Sequence, residues 1–234
     1  MIEDNEILQV GTVKVEGRLV DASNATLLTE IELSGEVIRA IYKPISGERP
    51  LWDFQSGTLA FRERAAYLIS EAMEFHLVPL TILREGPFGI GAFQIWIEID
   101  ESVDLALYFR EVNEHLRKVA LFDAVINNTD RKIGHLLPSQ TGSLFICDHG
   151  VTFHEEDKLR TVLWQWSGHP LNEDELETLR KLYLSVENQE IEELGELLSA
   201  SEIEALHYRI EKLISQSRFP EPNPDWPAVP WPPF

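Results

Sequence analysis

Two aspartates carry the most chemistry in this 234-residue sequence. Asp130 stands in the run NNTDRKIGHLL, after a helix-like stretch and before a hairpin-like one. Asp148 follows 18 residues later, at the end of the apolar run LFIC and ahead of His149-Gly150. Carboxylates at the two ends of a hairpin can lie close in space, one beside an accepting hydroxyl and the other on a divalent cation. Either aspartate alone also reads as a turn or helix cap, because a short carboxylate satisfies free backbone N–H groups. As a pair they are harder to explain that way.

Lys43 closes the apolar run of IRAIYKP. Taken alone, it reads as a strand-end lysine with its stem on apolar surface and its ammonium in water. Glu63, in RERAAYLIS, reads alone as a solvated helix residue. Together, a strand-end lysine and a glutamate in the next helix match the ion pair that positions nucleotide phosphates in kinases.

The elements that must position these groups are legible from turn signals and apolar spacing. Residues 15–21, 25–33 and 37–42 read as an antiparallel meander of three strands, broken at Ala22-Ser23-Asn24 and Ser34-Gly35-Glu36. Residues 44–57 form a loop and 58–75 a helix, by its near-3.6 apolar spacing. Two more strands occupy 80–99 around a glycine-rich turn, whose glycines lack the strand–GxGxxG–helix setting of a dinucleotide fingerprint. A helix is expected over 111–126, then a hairpin of 136–137 with 144–147, then helices as far as about 217, broken at SGHPLNED (167–174) and SVENQ (185–189). The tail FPEPNPDWPAVPWPPF is too rich in proline for helix, and its two tryptophans suit packing on a surface. A five-stranded sheet with one inserted helix, followed by a mostly helical half, is an α+β plan.

Four ordered segments resemble the phosphatidylinositol 3-/4-kinase-like family, in particular the type II phosphatidylinositol 4-kinases and their short bacterial relatives. Phe122-Asp123-x-x-x-Asn127-Asn128-Thr129-Asp130-Arg131 is similar to the catalytic loop, and Asp148-His149-Gly150-Val151-Thr152-Phe153 to the metal-binding motif. Glu63-Arg64-Ala65-Ala66-Tyr67-Leu68, with Val78-Pro79 downstream, resembles the helix of the N-terminal lobe. The hairpin from Gly17-Arg18-Leu19 to Thr26-Leu27 resembles the phosphate-covering loop. The resemblance covers residues 15–155. It implies a bilobal, protein-kinase-like fold in one domain over 1–234, with an N-lobe at about 10–99, a C-lobe at 100–218 and the tail at 219–234.

By the same resemblance the cofactors are ATP and Mg²⁺, with Mn²⁺ as the alternative metal. Lys43 and Glu63 would serve the phosphates, and Ser23 and Asn24 would cover them through the backbone. Trp96-Ile97-Glu98-Ile99 would be the hinge that holds adenine, Asp130 would orient the acceptor hydroxyl, and Asp148 would hold the metal. His135 stands where kinases usually carry an asparagine metal ligand. Either it ligates the metal in a modified site or the site holds metal weakly; a preference for Mn²⁺ also fits, since oxygen ligands suit Mg²⁺ better than imidazole. Lys132 is either a stabiliser of the transferring phosphoryl group or a solvated cation. Cys147, His149 and His154 lack a fourth ligand at a familiar zinc spacing.

Composition limits the partners. A formal charge of −20 repels nucleic acid and anionic bilayers. No apolar run approaches the ~20 residues of a membrane span. The start MIEDNEILQV lacks the plan of a secretory signal, and the single cysteine rules out an internal disulfide framework. A cytoplasmic protein without stable membrane association is expected. Its partners would be a nucleotide and a protein or soluble small-molecule phosphoacceptor, the protein itself included. A pseudokinase with an altered metal site and a scaffold without nucleotide are the competing readings.

Overall fold

The computed structural model describes residues 2–19 and 24–234. Its chain opens with α1 (Asp4–Val10), which sequence periodicity does not announce, and continues into β1 (Thr12–Arg18), β2 (Leu27–Leu33) and β3 (Glu36–Pro44). After the loop come α2 (Leu59–Ala72), β4 (Thr81–Gly86) and β5 (Gly89–Ile95). The five strands form one antiparallel sheet in the order β1-β2-β3-β5-β4. The first strand lies earlier than the expected 15–21, and the proposed turn at Ala22-Ser23 falls outside the described residues.

Period-two alternation sets which side chains of β3 reach the core. Ala40, Tyr42 and Pro44 are buried, so Lys43 is left on the opposite face. Ile7 and Leu8 of α1 pack with Leu27, Ile31, Ala40, Tyr42, Ile82 and Phe93 in a core of their own. Tyr42 stacks on Phe93 at 4.2 Å between ring centroids, and the Arg84 guanidinium lies 5.5 Å from the Phe93 ring. Gly91 permits this closeness of β3 and β5. A Cβ there would stand 2.4 Å from the Lys43 carbonyl and 2.7 Å from the Tyr42 ring.

The second half holds α3 (Leu105–Tyr108), α4 (Glu114–Ile126), the hairpin β6 (Leu136–Pro138) with β7 (Leu144–Ile146), α5 (Glu173–Glu187), α6 (Leu194–Leu197) and α7 (Ala200–Gln216). Asn113, Asn172 and Ser199 cap α4, α5 and α7 by accepting from backbone N–H groups three residues on. The larger core lies here, built on α4, α5 and α7 with a face of α2. The result is an α+β fold, an antiparallel sheet with α2 in the first half and a mostly helical second half. Among the described residues no helix is long and apolar enough to cross a membrane.

One expectation fails. Residues 148–166, expected to be helical, contain no helix, and the expected break at 167–174 lies in the same non-helical segment up to Asn172. Their backbone is committed to distant partners instead: Phe153 N–H donates to the Ile126 carbonyl, Arg160 N–H to Asn128 and Val162 N–H to Arg131. The apolar spacing that suggested a helix there reflects residues dropped one by one into the core.

Replacing Phe93 by Ala removes a fully buried ring and its stack, and should cost about 3–5 kcal/mol. Urea unfolding of Phe93→Ala against wild type measures it; a loss below about 1 kcal/mol would contradict the packing described.

Candidate active site

The site begins with Lys43, which bridges the two halves. Its ammonium donates to Glu63 Oε1 on α2 and, at 2.9 Å, to Asp148 Oδ1 after β7. Glu63 is held on both sides. Its Oε2 accepts the backbone N–H of His149 at 3.0 Å. The arginines flanking it are anchored too, Arg62 to Glu202 of α7 and Arg64 to Glu193 and the Thr81 carbonyl. These contacts fix the rotation of α2 and so the aim of Glu63. Beside Lys43 lies a cavity walled by Asn24, Thr26, Pro44, Leu59, Glu63, Asp148 and Gly150.

The second part is the loop after α4. Asn127 ends the helix in the left-handed region, at φ 50°, as asparagine tolerates. Its side chain donates to the carbonyls of His154 and Glu156, at 2.9 and 2.6 Å. Asn128 donates to Asp123 Oδ1 and accepts the N–H of Asp130 at 2.9 Å. Asp130 is thereby presented with both oxygens facing cations: Arg160 Nη2 lies 3.1 Å from Oδ1 and Lys132 Nζ 3.3 Å from Oδ2.

Arg131 points the other way, into the core, with no exposure to solvent. It donates to both oxygens of Asp123 at 3.0–3.2 Å, to the Cys147 carbonyl at 2.8 Å and to His149 Nε2 at 2.9 Å. It therefore grips the residues on either side of Asp148. Asp148 itself has φ 63°, a conformation uncommon outside glycine and one that marks a constrained position.

The residues singled out from sequence converge in part. Lys43, Glu63 and Asp148 form one ionic cluster, and Asp130 is near enough for the Asp148 charge to act on it. Lys132 pairs with Asp130. His135 closes the cluster from below, its Nε2 3.5 Å from Asp148 Oδ2 while its Nδ1 accepts the N–H of Lys132 at 3.4 Å. Ser23 lies outside the described residues. Asn24 borders the cavity, and its side chain accepts the N–H of Arg49. Trp96-Ile97-Glu98-Ile99 link β5 to the second half, but none of them lines the cavity beside Lys43. Sequence reasoning assigned no separate role to Arg131, Asp123, His149 or Arg160. The first three stood inside quoted motifs. Arg160 had no local signal, because only a 30-residue excursion brings it to Asp130.

Charge sets the protonation states. Burial alone would raise the Glu63 carboxyl, but Lys43 and the His149 contact pull it down to about 2. The Lys43 ammonium beside Asp148 holds that carboxyl well below the usual range. Burial opposes the charge on Lys43, yet Asp148 and Glu63 together raise its pKa. Burial pushes the Asp130 carboxyl up, against Lys132 and Arg160. Burial also pushes the His135 imidazole down to about 4, so it is neutral near pH 7, with Nε2 in contact with Asp148 at 3.5 Å.

In the metal-free protein, Glu63 and His135 both bind protons more readily in the unfolded chain, so acid favours unfolding. The His135 contribution disappears as pH falls from about 6.5 to 4, and that of Glu63 as pH falls from about 4.5 to 2. Thermal melts of His135→Asn at pH 7, 5 and 3 should therefore lose less stability than wild type between pH 7 and 5. An unchanged upper limb would contradict the buried, neutral imidazole.

No protein-family model matches this sequence. Among solved structures, the crystal structure of a Helicobacter pylori proinflammatory kinase, CtkA, is similar at a TM-score of 0.50 and 13% identity, over 90% of this chain and 94% of that one. At that identity the likeness bears on fold, and the fold is kinase-like. Protein Rv2133c of Mycobacterium tuberculosis is 38% identical over 267 aligned positions, which span 99% of this chain and 96% of the relative. The chain belongs to the family of Rv2133c.

Proposed function

We propose that this protein is an ATP-dependent phosphotransferase of the phosphatidylinositol 3-/4-kinase-like kind. The observation that carries the reading is the double engagement of Lys43 by Glu63 and Asp148, with Asp130 presented beside them. A lysine held between an α2 carboxylate and a metal-type aspartate is the arrangement that receives nucleotide phosphates. ATP would lie with its phosphates against Lys43 and the cavity walls near Asn24 and Thr26, and its adenine toward Trp96-Ile97-Glu98-Ile99. Backbone amides of Ser23 and Asn24 would cover the phosphates.

The donor set suits a nucleotide-borne divalent ion. Asp148 offers one half-exposed carboxylate, and Mg²⁺ ordinarily takes one or two carboxylates with phosphate and water oxygens. Among the described residues no group of three His, Cys, Asp or Glu side chains is placed to hold an ion without a nucleotide. Asp148 would hold the metal, which supplies charge neutralisation at the phosphates. For His135 to join it, Nε2 must carry no proton, and Nδ1, protonated in its place, must cease accepting from Lys132.

In the transfer, an acceptor oxygen bonds to the γ-phosphorus while the bond from that phosphorus to the β,γ-bridging oxygen breaks. ADP leaves with the electron pair, and the hydroxyl proton passes to Asp130. Its burial-raised pKa favours that step. Lys132 and Arg160 release one carboxylate oxygen to the hydroxyl and stay to meet the transferring charge. With a formal charge of −20, a protein or soluble small molecule is a better acceptor than a lipid in an anionic bilayer. A pseudokinase that binds ATP without transfer is the second reading, favoured by the His135–Asp148 contact at the metal position.

ATP with Mg²⁺ or Mn²⁺ should raise the melting temperature, and labelled γ-phosphate should pass to an acceptor in a lysate or to the protein itself. Asp148→Ala should lose the metal-dependent shift, whereas Asp130→Ala should keep it and lose transfer by about 10²–10⁴-fold. No shift with either metal would sink both readings; a shift without transfer, indifferent to Asp130→Ala, selects the pseudokinase. His135→Asn should move the metal preference toward Mg²⁺ if the imidazole ligates.

A further inference from the structure

Residues 219–234 run across the second half of the molecule and end beside the catalytic-type loop. Near that loop the tail accepts from the body through its backbone carbonyls, while its donors are used upstream, Phe219 N–H to the His169 carbonyl and the Asn223 amide to the Asp157 carbonyl. The Ala228 carbonyl accepts the Thr161 N–H at 3.0 Å and the Trp164 indole N–H at 2.8 Å. The Pro233 carbonyl accepts the Ile133 N–H at 2.8 Å, three residues past Asp130. Seven of these sixteen residues are proline, which has no N–H to offer.

The strip they cover is tied directly to the site. Thr161 bridges Arg131, the Arg131 N–H donates to the Arg160 carbonyl, and Arg160 pairs with Asp130. Two backbone N–H groups, of Ile133 and Thr161, with the Trp164 indole N–H between the tail and the reactive carboxylate's loop, are donors that an extended polypeptide pairs with. The occupant also has a particular composition: residues 219–234 contain no Ser, Thr or Tyr. It can lie in such a groove without offering a hydroxyl.

We infer that the strip formed by Ile133 and residues 161–164 is a docking groove for an extended, proline-tolerant acceptor polypeptide, and that residues 219–234 fill it as a hydroxyl-free stand-in. This rests on the phosphotransferase reading. It narrows the acceptor to a polypeptide and makes its access depend on displacement of the tail. Preformed extended proline segments lose little entropy on docking, so such an occupant holds without a large contact area. Trp226 secures it by lying over the buried Lys158 ammonium, 5.1 Å from the ring, opposite Trp52 at 4.8 Å. Its indole N–H has no acceptor among the described residues, so stacking is what holds it.

The test uses the full chain with Trp226→Ala, and with Asn223→Ala, which removes exposed bonds to the Asp157 carbonyl and from the Asp225 N–H, should the first not fold. Hydrogen exchange at the Ile133 and Thr161 amides should quicken about tenfold, the loss expected for one desolvated cation–π contact. A free peptide of residues 219–234 should restore protection. The same peptide carrying A228S should compete for that protection and accept labelled phosphate faster from the loosened variant than from wild type. Amides that stay protected in both variants, or a free peptide without effect on their exchange, overturn the groove. Restored protection with no transfer to any acceptor keeps the groove and removes the phosphotransferase reading. Transfer to the A228S peptide at equal rates from loosened and wild-type protein overturns the control by the tail.

Discussion

A guanidinium with no access to water must find protein partners for its donors or unfold the region around it. Arg131 meets that demand with Asp123 from α4, the Cys147 carbonyl from the end of the hairpin and the His149 ring beyond Asp148. The C-terminal part of α4 and the stretch around Asp148 are held at one point, together with the loop that presents Asp130, since Arg131 follows it directly. Removing Asp123 would strand a buried cation, the kind of loss that costs about 3–5 kcal/mol. Thr161 also donates to Asp123 Oδ2, so the irregular 147–172 segment is registered against the same carboxylate. The geometry of the candidate site follows from this buried pair as much as from the residues that face the cleft.

The cleft itself is organised by opposite accounting. One ammonium, Lys43, stands against two carboxylates and leaves the cluster short of positive charge. One carboxylate, Asp130, stands against two cations and leaves that end short of negative charge. A divalent cation would complete the first end and a developing phosphoryl charge the second, with the two a short distance apart. The bulk of the −20 charge is carried elsewhere, much of it on α5, α6 and α7 and the turns between them, where acidic side chains face solvent.

How far this could be read in advance depended on the range of the interactions. The meander, α2, the β4–β5 hairpin and α4 rest on local turn chemistry and periodicity, and their positions follow from sequence within a few residues. Lys43, Glu63, Asp130 and Asp148 were legible because each sits at a boundary of such an element. Residues 148–166 were not, because Leu159, Leu163 and Trp166 imitate helical spacing while the backbone of the segment pairs with distant residues such as Ile126, Asn128 and Arg131. The short α1 escaped for a related reason: Ile7 and Leu8 make it a helix by packing on the sheet, with little support from propensity. Arg160 belongs to the same class, a local loop residue given its place by long-range pairing.

Asp148 sits between two residues that Arg131 grips, and its own backbone lies in the left-handed region. The peptide on either side has nowhere to go, so the carboxylate keeps only its two side-chain torsions. It works as a swivel on a clamped axle. Turning from Lys43 toward a new charge then requires ordering one short side chain, on the order of 1 kcal/mol, where an unclamped loop would have to order several backbone residues as well. The clamp is the buried ion pair, and the speed and selectivity of the swivel are set more than ten residues away along the chain, at Asp123.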